Sequence, residues 1–374
     1  MRIGIVCYPT FGGSGVVATE LGKELAALGH EIHFISYGIP VRLDLFTDNV
    51  YYHEVAVSDY PLFDYAPYEQ MLTSKLVDVA KYEKLDLFHV HYAIPHASAA
   101  YMAREILKAE GINVPFITTL HGTDITLVGK DASFEPVITF SINQSDAVTA
   151  VSESLKKDTL QHFGVTNTIE VIPNFICLEL YNKDIKGEFK AKYAPNEERI
   201  LMHISNFRKV KRVEDVVRVF AKVREEIPSK LLLVGDGPER NKIEVLCREL
   251  GTCDDISFLG KVKATEKVLA IADLFLLTSE KESFGLAALE AMACSVPVIS
   301  TNTGGLPEVV EQGVSGFMSN VGDIDDMAKN ALRIIREDDQ LKIFSENARK
   351  QAEKFEVKTI LPRYIALYNK VLDN

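Results

Sequence analysis

What most limits the fold of this chain is a double series of short apolar runs, each followed by a helical pattern. Before residue 173 the runs are IGIVCY, EIHFIS, DLFHVHY, PFITTLH, AVTAVS and IEVIP; after residue 198 they are RILMHIS, KLLLVGDG, DISFLG, DLFLLTS and VPVIST. Runs apolar along their whole length belong to strands covered on both faces, so the helices between them must lie above and below a parallel sheet. That is the βαβ succession, and it occurs twice. The stretch between the two series, PNFICLELYNKDIKGEFKAKYAPNEE, is polar and has no long apolar run. At 374 residues the chain has room for two cores. The fold expected is α/β: two doubly wound, Rossmann-like parallel-sheet domains facing a central cleft, over residues 1–173 and 174–355. A last helix within 356–374 is expected to pack back on the first domain.

Charge narrows the partners. The net charge is −12, and residues 1–173 hold 11 Lys+Arg against 21 Asp+Glu. An acidic first half disfavours nucleic acid and anionic membrane surfaces, so an anion bound there needs a few well-aimed donors. No run of 18 apolar residues occurs, and the N-terminus enters a strand without a signal-peptide layout. The expectation is a cytoplasmic protein with no membrane insertion; the sequence leaves open a homo-oligomer. Cys7, Cys177, Cys247, Cys253 and Cys294 form no CxxC pair, which reads as free thiols in a reducing compartment.

Ligands of open parallel sheets bind where strands end, so each motif is judged by the strand it follows. YPTFGGSGVVATELG follows the first strand and opens a helix; Gly12, Gly13 and Gly15 let amides approach an anion, and Ser14 is a cap or a ligand donor. It is neither GxGxxG nor a P-loop. TTLHGTD puts His121 at a strand end, as a structural or a catalytic histidine. His89, His91 and His96 lie in HVHYAIPHA, but with His121 and Asp124 they match no zinc spacing, so no metal is expected. HISNFRKVKRVEDVV sets Arg208, Lys209, Lys211 and Arg212 in front of a helix whose dipole they oppose, a cost that a bound phosphate would offset. The DIDD at 323–326 reads as a helix start capped by Asp323, rather than a metal motif.

KESFGLAALEAMACSVPVISTNTGGLPE, residues 281–308, holds two glutamates eight positions apart around a glycine. A helix beginning near Phe284 or Gly285 leaves Glu282 before its N-terminus and Glu290 two turns down. A ligand along that helix start meets amides in the middle and a carboxylate on each side. Phosphate prefers the amides and hydroxyls prefer the carboxylates, which fits a nucleoside-diphosphate sugar.

With GGSG, LHGTD, VIPN, FRKVKR, VGDGPE and the 281–308 run in hand, the chain resembles the retaining glycosyltransferases of the GT-B fold with the E-x7-E motif. CYPTFGGSGVVATELG, HVHYAIPHA and TTLHGTDITLVG resemble the branch that joins N-acetylglucosamine to L-malate in bacillithiol biosynthesis. The resemblance implies transfer from UDP-GlcNAc to the L-malate hydroxyl, with retention and without a cofactor or metal; the alternative is a different acceptor or nucleotide-sugar on the same fold. It implies catalytic roles for His121, Glu282, Arg208 and Lys211. It gives donor contacts to Gly13, Asn206, Ser283, Phe284, Gly285, Leu286 and Glu290, the last on the ribose. Ser14, Tyr92 and Thr119 are the acceptor residues expected from their places at strand ends. Arg212 stands where the family usually has glycine, and the resemblance gives that charge no role.

Overall fold

The computed structural model describes residues 1–10, 12–56, 66–127, 131–182 and 189–373. Phe11 of the glycine-rich turn, residues 128–129 after His121 and residues 183–188 of the polar stretch lie outside the described residues. The chain divides into two compact units, Met1–Asn174 with Val357–Asn374, and Phe175–Glu356.

The first unit holds a seven-stranded sheet built from β1 (Arg2–Val6), β2 (Glu31–Ser36), β3 (Val50–Glu54), β4 (Leu87–His91), β5 (Phe116–Leu120), β6 (Ala147–Ala150) and β7 (Ile169–Val171). Its order is β3-β2-β1-β4-β5-β6-β7, parallel throughout. The second holds six strands: β8 (Arg199–Ile204), β9 (Ser229–Val234), β10 (Ile256–Gly260), β11 (Leu274–Leu277), β12 (Val298–Thr301) and β13 (Gly316–Ser319). Their order is β10-β9-β8-β11-β12-β13, again parallel. Chain order reverses between β1 and β4 in one sheet and between β8 and β11 in the other. Those are the two switch points.

Two strands escape the sequence reading, β3 and β13, and both are sheet edges. Strand β3, VYYHE, is only partly covered, and β13 is four residues long, GFMS. An edge strand has one neighbour and need not be apolar along its length.

Cores form as the periodicity dictates. In the helix Val213–Glu226, Val213, Val216, Val217, Phe220 and Val223 make one buried face against the second sheet, with Glu214 and Asp215 in the first turn complementing the dipole. The helix Val357–Leu372 buries Tyr364 and Tyr368 within the first unit, where the Tyr368 hydroxyl meets His89 Nδ1 at 2.8 Å.

The cysteine expectation needs one correction. Cys247 and Cys253 form a disulfide, their Cα atoms 5.1 Å apart. The helix Arg240–Glu249 ends, Gly251 turns at φ +63°, and a 3-10 turn brings Cys253 back beside Cys247. Cys7, Cys177 and Cys294 stand outside any disulfide.

Candidate active site

In the second unit the loops after β8 and β11 flank the switch point. Glu282 follows β11, and Lys211 Nζ lies 2.5 Å from its Oε1, while Ser279 Oγ donates to the same oxygen at 2.8 Å. Both partners of the ion pair are largely covered, with side chains 21% and 14% exposed, so the attraction is screened less than at a surface. The double glycine of the 281–308 run has a steric reason. At Gly304 (φ +57°) a Cβ would stand 1.8 Å from the Glu282 carbonyl oxygen, and at Gly305 2.4 Å from that of Ser283. The Gly305 amide donates to the Glu282 carbonyl at 2.9 Å. Two residues without side chains thus let the loop after β12 lie against the backbone that carries Glu282. The VGDG turn repeats the device: a Cβ on Gly235 would meet the Ser205 carbonyl oxygen at 1.8 Å, fixing the loop that leads to Asn206 and Arg208. Beneath that loop, buried His203 donates from Nδ1 to the Leu276 carbonyl at 2.8 Å and accepts at Nε2 from Ser205 Oγ at 2.7 Å; burial lowers its pKa to about 4.

Gly285 adopts φ +100° and opens the helix Leu286–Ala293 with no side-chain cap. The first-turn amides there, at Leu286 and Ala287, belong to the donors a helix cannot satisfy internally. Glu290 is the fifth residue of this helix, so it stands about one turn (~6 Å) below the start. The expected two turns are corrected to one. Its carboxylate is buried and accepts from the Tyr181 hydroxyl at 2.6 Å. Phe284 is buried edge-on against Phe355, centroids 5.6 Å apart, so it offers a ligand only backbone; Ser283 and Leu286 are half-buried.

Three of the four basic residues after β8 separate clearly. Arg212 has φ +46° and bonds Asp215 at 2.6 Å, a structural pair at the start of the helix Val213–Glu226. Lys211 pairs with Glu282. Arg208 is exposed, and among the described residues it enters no ion pair, so its charge is available. Asn206 is exposed beside it.

The first unit gathers a different set at its own switch point. Gly13 is exposed at the first turn of the helix Gly13–Ala27, after β1. Gly15 packs so closely that a Cβ would sit 2.5 Å from the Tyr8 carbonyl oxygen. Ser14 Oγ and the Tyr92 hydroxyl are 2.7 Å apart, and Tyr92 follows β4 at φ +90°. The Tyr92 ring lies 5.4 Å from that of His121, which follows β5 and bonds His91 Nδ1 through Nε2 at 2.8 Å. Burial, with His89 and His96 nearby, lowers the His121 pKa to about 3. Asp124 is buried and accepts from the Ala93 amide at 2.8 Å and the Gly122 amide at 3.1 Å; burial raises its pKa to about 6 against those bonds.

Thr119 is corrected. It is fully buried, its hydroxyl held between His89 Nε2 and Thr149 Oγ1, each at 2.7 Å, so it orients His89 instead of facing a ligand. Among the described residues no group of three or more His, Cys, Asp or Glu is arranged to hold a metal ion. Sequence reasoning passed over Tyr181 and Ser279, the partners of the two glutamates. Ser279 sits three residues from Glu282 at the end of β11 and could have been found; Tyr181 lies in the polar stretch, 109 residues from its partner.

Comparison with known proteins agrees with this fold. A family model for glycosyl transferases group 1 matches residues 184–351, and one for glycosyltransferase family 4 matches 11–180. The chain is 49% identical over 374 residues to N-acetyl-alpha-D-glucosaminyl L-malate synthase of Bacillus anthracis, covering all of this chain and 97% of the relative. It is 26% identical to D-inositol 3-phosphate glycosyltransferase of Thermobispora bispora, over 97% of this chain and 90% of the other. Among solved structures, Anabaena HepE in complex with UDP and glucose superposes with a TM-score of 0.82 at 21% identity, 99% of each chain covered. Sucrose-phosphate synthase from Thermosynechococcus elongatus does so at 0.81 and 21% identity, over 100% of this chain and 99% of that one. The chain belongs to the GT-B glycosyltransferases, with a family 4 first domain and a group 1 second domain.

Proposed function

We propose that this enzyme transfers N-acetylglucosamine from UDP-GlcNAc to the hydroxyl of L-malate with retention of the anomeric configuration, the first step of bacillithiol biosynthesis. The observation that carries the transfer chemistry is the pairing of a covered cation, a carboxylate and uncapped helix-start amides at one switch point. The acceptor and the sugar come from the Bacillus anthracis relative, which aligns end to end.

In this reading the UDP diphosphate lies against the amides of Leu286 and Ala287, with Arg208 and Lys211 neutralising it. Both cations act hardest as the C1–phosphate bond breaks and charge collects on the leaving group, which is where a fixed charge lowers the barrier. Glu282 accepts from hydroxyls of the sugar, and Glu290, oriented by Tyr181, accepts from those of the ribose. Gly13 offers its amide to the donor, and Ser14 and Tyr92 serve the acceptor side, with His121 near the reacting centre. The malate hydroxyl attacks C1 from the face the phosphate leaves, and its proton passes to the departing phosphate oxygen. Side-chain cations supply the leaving-group charge compensation, so we read the reaction as metal-independent. We read its setting as cytoplasmic, with soluble substrates; no helix among the described residues is long and apolar enough to cross a membrane.

The test is UDP release from UDP-GlcNAc with and without L-malate, in a chelator, with the product's anomeric proton followed by NMR. Malate-dependent release and an α-linked product are expected. Release indifferent to malate would remove the acceptor assignment, arrest by the chelator would remove metal independence, and a β-linked product would remove retention.

A further inference from the structure

His91 has no part in the proposed reaction, yet it is fully buried and touches half-buried His121. Its ring lies between those of His89 (centroids 4.6 Å) and His121 (5.0 Å), stacked on both within 28°. Its Nδ1 meets His121 Nε2 at 2.8 Å, while its own Nε2 is buried with no partner. Among the described residues His121 Nδ1 takes no hydrogen bond, and it is not enclosed as His91 Nε2 is.

Two arrangements of protons satisfy the 2.8 Å contact. In one, His121 donates from Nε2, and neutral His91 must then carry its proton on Nε2, a buried N–H with no acceptor. In the other, His91 donates from Nδ1 into the His121 Nε2 lone pair, and what stays unpaired in the interior is only a lone pair. An orphaned buried N–H is the rarer and costlier of the two. A doubly protonated His91 is disfavoured because burial holds its pKa well below the usual value. His96 adds no alternative, because its Nδ1 is committed to the His91 carbonyl.

We propose that His91 is a positioning residue: it donates from Nδ1 to His121 Nε2 and locks His121 as the neutral tautomer with its proton on Nδ1. With Nε2 occupied and Nδ1 protonated, His121 has no free lone pair. It therefore acts on a substrate oxygen as a hydrogen-bond donor and does not take the acceptor's proton as a base. This rests on the reading of His121 as a substrate contact, and the experiment separates the two.

The full chain labelled with 15N-histidine, with the His121 signals assigned by their loss in His121→Gln, reports the tautomer directly by two-bond 15N–1H correlation. The expected result is a protonated Nδ1 and an unprotonated Nε2; a proton on Nε2 overturns the inference. In kinetics, His91→Phe keeps the stacked ring and removes the donor, and is expected to lower kcat/KM about tenfold, one hydrogen bond's worth. His91→Asn restores an N–H near the Nδ1 position and is expected to recover activity to within about threefold of the parent. Unchanged turnover in His91→Phe overturns the proposal, as does failure of His91→Asn to exceed it. Should His91→Phe not fold, the tautomer in the parent chain decides alone. If His121→Ala leaves kcat/KM unchanged, the substrate-contact reading fails, while the tautomer still decides whether His91 sets the state of His121.

Discussion

The two domains share one topology, each with its own switch point, and they arm those points in opposite ways. Eight of the nine histidines lie in the first unit, and its site is made of buried neutral imidazoles and paired hydroxyls. The second unit has the single histidine His203, and its proposed site is Lys211, Glu282, Glu290 and Arg208. Charges that are already paired or exposed can meet a diphosphate without a further burial penalty. Neutral donors suit an acceptor whose hydroxyl must stay reactive. The comparison teaches that the fold supplies the place and the residues at the strand ends supply the electrostatics.

The largest effect expected from breaking this contrast is at the ion pair. Lys211→Ala should lower kcat by about 10²–10³, the usual loss when one transition-state charge partner goes, as measured by steady-state UDP release. Glu290→Gln is expected to raise the UDP Kd about tenfold in calorimetry, since the neutral amide is a weaker acceptor for ribose hydroxyls and for Tyr181. Tyr92→Phe removes one neutral hydroxyl bonded to Ser14, and should raise the acceptor KM only severalfold, with the UDP Kd unmoved.

Acid should sharpen the comparison through stability. Burial puts His89, His96 and His121 at about 3, 4 and 3 when folded, against an ordinary 6.5. The unfolded chain binds protons that the native first unit refuses, so this stability is complete above pH 6.5 and drains away as pH falls toward 3. Asp124, raised to about 6, works in the other direction: its contribution is present below its ordinary 3.8 and lost as pH rises through 6. Three imidazoles outweigh one carboxylate. Hydrogen exchange between pH 7 and 4 should show amides of β4 and β5 losing protection before those of β8 and β11, beside which stands one buried histidine, His203.

Much of this was legible in the sequence, for reasons that differ by residue. The central strands were readable because both their faces are covered; β3 and β13 were not, because an edge needs no continuous apolar run. That Lys211 and Glu282 come together could be read because both lie in short segments after strands that border one switch point. Thr119 was misassigned because its partners, His89 and Thr149, come from neighbouring strands 30 residues away on either side. Tyr181 and the Cys247–Cys253 cross-link depend likewise on where the chain folds back, which no spacing rule announces.

The division of labour between the domains is tested most directly by titrating UDP into the full chain carrying Lys211→Ala or His121→Ala. The account predicts that Lys211→Ala weakens UDP binding about tenfold or more, while His121→Ala binds UDP as the parent does. UDP affinity lost in His121→Ala and kept in Lys211→Ala would contradict it.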